Sequence, residues 1–352
     1  MRVLMLISSL HAGGAERVTI DLASYLASRG HEVHLMIARR SNRTPEVYLL
    51  PRGVSCHWAR WGVENKITRP AVNYLLLKEL LHKLDPDWIM SLGAQYKLIS
   101  ISGVFDSYKV LLSERNYPPE RYVGEELGFI QEVYGRATRV VFQTKEIAEC
   151  FPNLPQDKVR VIPNAIRFGN VRWKGHDSKK VAFVGRLVEQ KNPDMLLQAF
   201  SLFHAEHPDC CLHIYGDGPL GGKMKELSRT LGIGEAVVFH GQVMGVDEEL
   251  SSSRMYVSTS NFEGISNSML EALAMGVPAV CTDCAGGGAR LAIDDGVNGL
   301  LVPCGDARAL AAAMDRIAGG TTLANSLSAH AVESSLRFSE DRIYPLWEEA
   351  LG

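Results

Sequence analysis

Two doubly wound parallel α/β domains in tandem are the architecture this sequence predicts, and three observations lead to it. Short β-rich runs alternate with amphipathic helical runs, the alternation starts afresh near Lys180, and 352 residues suffice for two domains of about 100–200 residues each. The first domain opens with a buried strand at Val3 to Ser8, an amphipathic helix at Ala15 to Arg29 closed by Gly30, and a strand at Glu32 to Ala38. That is a βαβ unit, whose parallel crossover is right-handed. Further strands are expected at Trp88 to Leu92, Val110 to Ser113, Arg139 to Gln143 and Val159 to Ile162. In the second domain the strands are Lys180 to Val184, Cys211 to Tyr215, Val237 to His240, Met255 to Ser258 and Ala279 to Thr282, with helices at Pro193 to Glu206 and Lys223 to Leu231. A polar linker at Ile166 to Asp177 divides the chain into residues 1–165 and 166–335, and a last helix over 336–352 is expected to cross back to the first domain. Ligands of such sheets bind at the carboxyl ends of the strands, so two facing domains create one cleft.

Composition removes several classes. With 46% hydrophobic and 22% charged residues the chain is an ordinary globular protein. Its longest apolar runs, such as Val3 to Leu10, fall far short of the ~18–20 residues of a membrane helix, and the chain starts on a strand without a charged leader. A cytoplasmic location is the expectation. The net charge of -3 divides into about +4 over residues 1–165 and -7 over 166–352, so the first half is the one suited to an anionic surface. No basic block interleaved with aromatics points to nucleic acid. Seven cysteines, an odd number, suit a reducing compartment. Cys281-x-x-Cys284 invites a zinc or redox reading, but no second pair or nearby His completes a zinc set.

The segment with the most chemistry is Asn261 to Thr282, NFEGISNSMLEALAMGVPAVCT. Met269, Leu270, Leu273 and Ala274 recur with helical period, Ser266, Asn267 and Ser268 can each cap, and Gly276-Val277-Pro278 stops the helix. Glu263 then stands in the loop before the helix and Glu271 one turn inside it. The positive end of the helix between them suits a diphosphate, and the carboxylates can accept from hydroxyls on either side. A nucleotide sugar has that layout. Ser268-x-x-Glu271 also fits a capping box, in which Glu271 only satisfies a backbone donor.

Other loops at strand ends add candidates. Gly13 and Gly14 follow the first strand, where a glycine turn lets backbone approach phosphate, though the spacing is not a dinucleotide fingerprint. Arg186 and Lys191, in Val184 to Asn192, can converge on one anion or can be two solvated cations. The turn at Tyr215 to Pro219, with Gly216, exposes backbone amides. Ser113 to Pro118 carries Glu114 and Arg115, a cluster that could orient a hydroxyl or form a strand-end ion pair.

In order along the chain, these segments resemble the retaining GT-B glycosyltransferases of family GT4. The run from Glu263 to Pro278 matches the E-x7-E signature and its sequel, and Gly185-Arg186 with Lys191 matches the G-R-x-x-x-x-K element. The resemblance implies that Gly13 and Gly14 meet the donor diphosphate, that Arg186 and Lys191 stabilise it as it leaves, that Glu263 holds sugar hydroxyls and that Glu271 holds the ribose. Gly216 and Gly264, Ile265, Ser266 and Asn267 complete the implied donor contacts, and Gly241-Gln242-Val243 resembles the loop whose backbone reads the base. Glu114 is the implied catalytic candidate on the acceptor side. Two departures stand out: Pro163-Asn164-Ala165-Ile166 lacks the Gly of the family hinge, and Arg290 replaces the Glu of a G-G-x-x-E element.

The implied reaction is glycosyl transfer from a nucleoside-diphosphate sugar, with UDP expected, to a hydroxyl of a glycan or polyprenyl-diphosphate-linked acceptor in cell-surface polysaccharide synthesis. No metal and no other cofactor is expected, because no D-x-D pair stands out and the cations with the helix dipole take the metal's place. A sugar-nucleotide epimerase of the same fold and a non-catalytic nucleotide-sugar binder remain as alternatives. The stretch His57 to Leu84 combines Trp58, Trp61 and Tyr74 with Arg60, Lys66, Arg69, Lys78 and Lys83. It suits peripheral attachment to an anionic membrane or, equally, a helix packed on its own sheet through Leu75, Leu76, Leu77, Leu80 and Leu81.

Overall fold

The alternating runs resolve into two all-parallel sheets in a computed structural model that describes residues 1–10, 13–39, 50–58, 68–93, 95–243 and 245–352. One compact unit comprises Met1–Ala165 with Asp341–Gly352, the other Ile166–Glu340. The first holds strands β1 (Arg2–Ile7), β2 (Glu32–Ile37), β3 (Val54–Trp58), β4 (Trp88–Ser91), β5 (Lys109–Glu114), β6 (Arg139–Phe142) and β7 (Val159–Val161). Their order in the sheet is β3-β2-β1-β4-β5-β6-β7. Helices α1 (Gly14–Ser28), α2 (Arg69–Leu84), α3 (Tyr96–Ile101), α4 (Pro118–Arg121), α5 (Glu125–Arg136) and α6 (Lys145–Glu149) connect them.

Because side chains alternate across a strand, a strand covered on both faces reads as continuous apolar sequence. β1 shows this directly: Val3, Met5 and Ile7 enter one core cluster with α1, and Leu4 and Leu6 enter the other with Leu77, Leu80 and Leu81 of α2. The last helix, α14 in chain order (Glu340–Leu351), belongs to the first cluster through Ile343, Tyr344 and Trp347, the last only 1% exposed.

The second unit holds β8 (Lys180–Val184), β9 (Cys211–Tyr215), β10 (Val237–Gly241), β11 (Met255–Ser258), β12 (Ala279–Thr282) and β13 (Leu300–Val302). Its helices are α7 (Pro193–Glu206), α8 (Gly221–Thr230), α9 (Asp247–Ser251), α10 (Asn267–Met275), α11 (Gly288–Ala292), α12 (Ala307–Gly319) and α13 (Thr321–Ser335). Val181 and Phe183 face one core and Ala182 the other.

Two strands have no counterpart in the sequence reading. β3 is Val-Ser-Cys-His-Trp, an edge strand on β2 without an apolar run, and β13, on the opposite edge of the other sheet, is three residues long. Within the stretch considered for membrane contact, Trp58 ends β3 and α2 buries Leu77, Leu80, Leu81 and Leu84, whereas Leu75 is 66% exposed. Arg60, Trp61 and Lys66 lie outside the described residues, as do His11 and Ala12 ahead of Gly13. Among the described residues no helix is long and apolar enough to cross a membrane.

The end of β5 corrects the acceptor-side candidates. The Glu114 carboxylate is 4% exposed. Its Oε1 accepts from the amides of Arg115 at 2.9 Å and Asn116 at 3.0 Å, and its Oε2 from the hydroxyls of Tyr122 at 2.8 Å and Tyr134 at 3.1 Å. Four donors fill the four lone-pair positions of a carboxylate, which leaves none for an acceptor hydroxyl. Burial pushes the carboxyl above its ordinary range, and the Tyr122 hydroxyl leads the hydrogen bonds that oppose the shift. Nor is there a strand-end ion pair. The Arg115 guanidinium donates to Asn164 Oδ1 and, at 3.4 Å, to Ser113 Oγ, and it stacks 5.8 Å from the ring centre of Trp347. Burial lowers it to about 10.

Glu114 therefore ties β5 to the segments carrying Tyr122 and Tyr134. Glu114→Gln puts an amide NH2 among those donors and should lower the unfolding free energy by about 1–3 kcal/mol. Urea titration measures this, and a variant as stable as wild type would remove the structural role.

Candidate active site

The second sheet has the order β10-β9-β8-β11-β12-β13, so β8 and β11 are neighbours whose chains leave in opposite directions. α7 carries the chain from β8 to β9 on one side, and α10 carries it from β11 to β12 on the other. At such a switch point the two loops diverge and leave a crevice at the carboxyl edge. Here those loops are residues 185–192 after β8 and 259–266 after β11.

Backbone and side chains lace the two loops together. Thr259 Oγ1 donates to Lys191 O at 2.7 Å, Asn261 N to Gln190 O at 2.8 Å, Gln190 Nε2 to Phe262 O at 3.1 Å and Asn192 Nδ2 to Asn261 Oδ1 at 2.8 Å. Across them Lys191 Nζ forms an ion pair with Glu263 Oε2, with side chains 12% and 18% exposed. Ser260 Oγ donates to the same carboxylate oxygen at 3.4 Å. Arg186, on the same loop as Lys191, is exposed and has no ion pair or side-chain hydrogen bond among the described residues.

Close backbone packing holds the loops from behind. Gly216, at φ +143°, follows β9, and a Cβ there would collide with the carbonyl of Gly185. Its amide donates to Gly241 O at 2.7 Å, and Gly185 N donates to Tyr215 O at 3.0 Å. Val243, two residues beyond Gly241, is 39% exposed. On the other side, a Cβ on Gly288 would collide with Gly264 O, and Glu263 N donates to Ala285 O at 2.9 Å. Arg290, whose role the sequence left open, pairs with Asp283 at 2.6 Å in that same turn.

α10 starts at Asn267 with Ser266 as its cap, whose Oγ accepts from Met269 N at 3.4 Å. The alternative capping box on Ser268 does not form. Ser268 Oγ lies 2.9 Å from the Tyr256 hydroxyl and donates to Val184 O at 3.2 Å, which brings the first turn of α10 to the end of β8. Glu271 is the fifth residue of the helix. Gly264, Ile265 and Ser266 are buried. Thus Arg186, Lys191, Gly216, Glu263, Gly264, Ile265, Ser266 and Asn267 all lie at one sheet edge. Thr259 and Ser260, which the sequence reading passed over, bind Lys191 and Glu263, and the only signal for them is a polar Ser-Thr-Ser run closing a buried strand.

Gly13 and Gly14 belong to the other unit, after β1 and beside β4, the switch point of that sheet. Gly13 precedes α1, and the carboxylate of Glu16 occupies the space a Cβ on Gly13 would need. Gln95 Nε2 donates to Ser8 Oγ at 3.0 Å and ties the loop after β4 to the loop after β1.

Comparison with known proteins gives the arrangement a family. A model described as Glycosyltransferase Family 4 matches residues 12–168, and one described as Glycosyl transferases group 1 matches residues 178–319. An exopolysaccharide phosphotransferase of Streptomyces coelicolor is 36% identical over 286 residues, 80% of this chain, although the chain spans only 30% of that protein's length. The lipopolysaccharide core biosynthesis glycosyltransferase LpsE of Rhizobium meliloti is 27% identical over 351 residues, 97% of this chain and 96% of LpsE. Among solved structures, HepE of Anabaena in complex with UDP and glucose superposes with a TM-score of 0.85 at 20% identity, over 100% of this chain and 99% of HepE. The two family models cover both units in turn, and the chain belongs to glycosyltransferase family 4, with the GT-B fold.

Proposed function

We propose that the chain transfers a hexosyl or N-acetylhexosaminyl group from a nucleoside-diphosphate sugar, with UDP as the nucleotide, to a hydroxyl of a glycan or polyprenyl-diphosphate-linked glycan. The observation that carries this reading is the meeting of Lys191 and Glu263 at the β8–β11 switch point, beside Arg186 and the start of α10. A departing diphosphate needs cations and a helix N-terminus, and a sugar needs a carboxylate acceptor. UDP and glucose in HepE, and lipopolysaccharide core biosynthesis in the name of LpsE, support the donor and acceptor classes.

In this reading the bond between the anomeric carbon and the diphosphate oxygen breaks, and its electron pair stays on the diphosphate. Arg186 and Lys191 stabilise that charge in place of a metal. The acceptor hydroxyl adds on the same face and passes its proton to the departing oxygen, which gives retention without a protein nucleophile. Glu263 orients sugar hydroxyls, and Glu271 the ribose. The phosphotransferase name of the Streptomyces relative belongs to a protein of which this chain matches less than a third. Product analysis separates the readings, since glycosyl transfer releases the nucleoside diphosphate whereas an epimerase needs no acceptor.

Thermal stabilisation across a panel of nucleotide sugars identifies the donor, a ligand at 100 times its Kd adding about 2.7 kcal/mol. Arg186→Ala is the cleaner test of the clamp, because an exposed side chain without partners among the described residues can go without harm to the fold, and turnover should fall about 10²–10³-fold. Lys191→Ala should fall as far but also lose about 1–3 kcal/mol of stability, because Glu263 is left without its partner. Wild-type turnover in Arg186→Ala, or activity lost to EDTA and restored by Mn²⁺ or Mg²⁺, would overturn the mechanism.

Peripheral membrane attachment is the second part of the proposal. α2 turns Leu75, Lys78 and Lys83 outward, and each cation near an anionic bilayer is worth about 1 kcal/mol. Flotation with anionic liposomes should carry the protein upward at low salt and release it at high salt. A protein that stays at the bottom at low salt favours a soluble acceptor.

A further inference from the structure

Strands β12 and β13 pair in parallel with Cys281 opposite Leu301 and Thr282 opposite Val302, and Asp283 N donates to Val302 O at 2.8 Å. Cys284 and Cys304 each follow two residues after the last paired residues of these strands, and the two thiols are neighbours. The partner of Cys284 is thus not Cys281, the other half of the Cys-x-x-Cys motif, which is buried in β12 with its thiol pushed up to about 12. Cys284 is 3% exposed, whereas Cys304 is open to solvent. Cys304 Sγ also donates to Ser260 O at 3.2 Å and lies 3.6 Å from Asn261 O, in the loop that carries Glu263. Lys191 and Glu263 lie on the Cys284 side, and the paired Asp283 and Arg290 on the Cys304 side. The neighbouring Cys284 lowers the Cys304 thiol to about 7, and Cys304 with burial raises Cys284. An exposed, readily ionised thiol next to a buried one is the layout of an attacking and a resolving cysteine.

We propose that Cys304 and Cys284 form an oxidisable dithiol site that reacts with hydroperoxides and, as a disulfide, unseats the loop carrying Glu263; its effect on turnover rests on the transferase reading above. The Cys304 thiolate attacks the peroxide, takes one oxygen as a sulfenic acid and releases hydroxide. The Cys284 sulfur then attacks the sulfenic sulfur, the S–S bond forms, and the expelled hydroxide leaves as water with the thiol proton. Two thiols are oxidised, and one hydrogen peroxide is reduced to two waters. The S–S bond is shorter than the contact between two separate sulfurs, so it draws the Cys304 sulfur toward Cys284 and away from Ser260 O and Asn261 O, and the loop loses those contacts.

The test treats the full chain with hydrogen peroxide, alkylates the remaining thiols and maps peptides by mass spectrometry. The expected result is a Cys284–Cys304 linkage that dithiothreitol reverses and that neither Cys284→Ser nor Cys304→Ser forms. Turnover of the oxidised wild type should fall about 10²-fold, the scale of a 1 Å misplacement, and recover on reduction. Cys304→Ser, whose hydroxyl keeps the bond to Ser260 O, should hold its rate with or without peroxide. Linkage through another cysteine, or a sulfinic Cys304 with Cys284 still open to alkylation, overturns the site. An unchanged rate in the linked protein overturns its control of the loop. Should the reduced wild type transfer no sugar at all, the transferase reading falls, while peptide mapping still decides the dithiol.

Discussion

The contact between β8 and β11 is the constraint on which the candidate site depends. Only Met255 with Val181 and Tyr256 with Ala182 pair along it. Yet it sets side by side two loops that sequence separates by more than seventy positions, and in a parallel sheet both loops must leave from the same edge. The Lys191–Glu263 ion pair follows from this placement. So does the position of α10, which must start at that edge because it returns the chain to begin β12. Moving either strand one place in the sheet would bring other loops together and separate the cation from its carboxylate.

Rigidity at that edge comes from backbone pressed on backbone. Gly216 abuts the Gly185 carbonyl and Gly288 abuts the Gly264 carbonyl, so each arm of the crevice is backed by a segment with no side chain between. Such contacts have no rotamers to exchange, and a site that must hold groups within about 0.5 Å gains more from them than from long side chains. The polar contacts of Thr259, Gln190, Asn192 and Asn261 then set the loops against each other. Each is a short side chain bonded to main chain or to another short side chain, which costs little conformational entropy.

The sequence made most of this fold legible because its strands are covered on both faces. In the second unit the runs at Lys180, Cys211, Met255 and Ala279 stand where expected to the residue, since buried parallel strands are apolar throughout and end sharply at Gly or polar turns. β3 and β13 escaped because an edge strand is covered less and tolerates Ser and His, and because three residues show no period. In the site, Arg186, Lys191 and Glu263 came forward through the resemblance to the family's G-R-x-x-x-x-K and E-x7-E elements, since spacing alone left solvated cations and a helix cap open. The contacts of Ser260 and Thr259 and that of Cys284 with Cys304 did not, because each is made between loop segments that share no pattern in sequence. Glu114 was misjudged for a related reason. A carboxylate at a strand end looks the same in sequence whether it faces a ligand or four protein donors, and Tyr122 and Tyr134 reach it only through the fold.

These two carboxylates show how burial sorts similar residues into different work. Glu114 meets four neutral donors, and they saturate it; burial still raises its pKa, so the network is matched to shape more than to charge. Glu263 meets a full cation and one hydroxyl, and its Oε1 takes no hydrogen bond from the described residues. A carboxylate held by a lysine on one oxygen keeps lone pairs on the other for a hydroxyl. The lysine, with three donors and one engaged by Glu263, keeps hydrogen-bonding capacity for an anion. The charge of Lys191 is nevertheless largely cancelled by its partner, so the uncompensated positive charge at this edge resides on Arg186 and on the N-terminal end of α10. Arg186, without an ion pair among the described residues, is solvated by water, whereas Lys191, at 12% exposure, has Glu263 as its counter-charge. In the proposed reaction Lys191 stabilises the diphosphate through the N–H donors that Glu263 leaves it, and the exposed Arg186 adds charge.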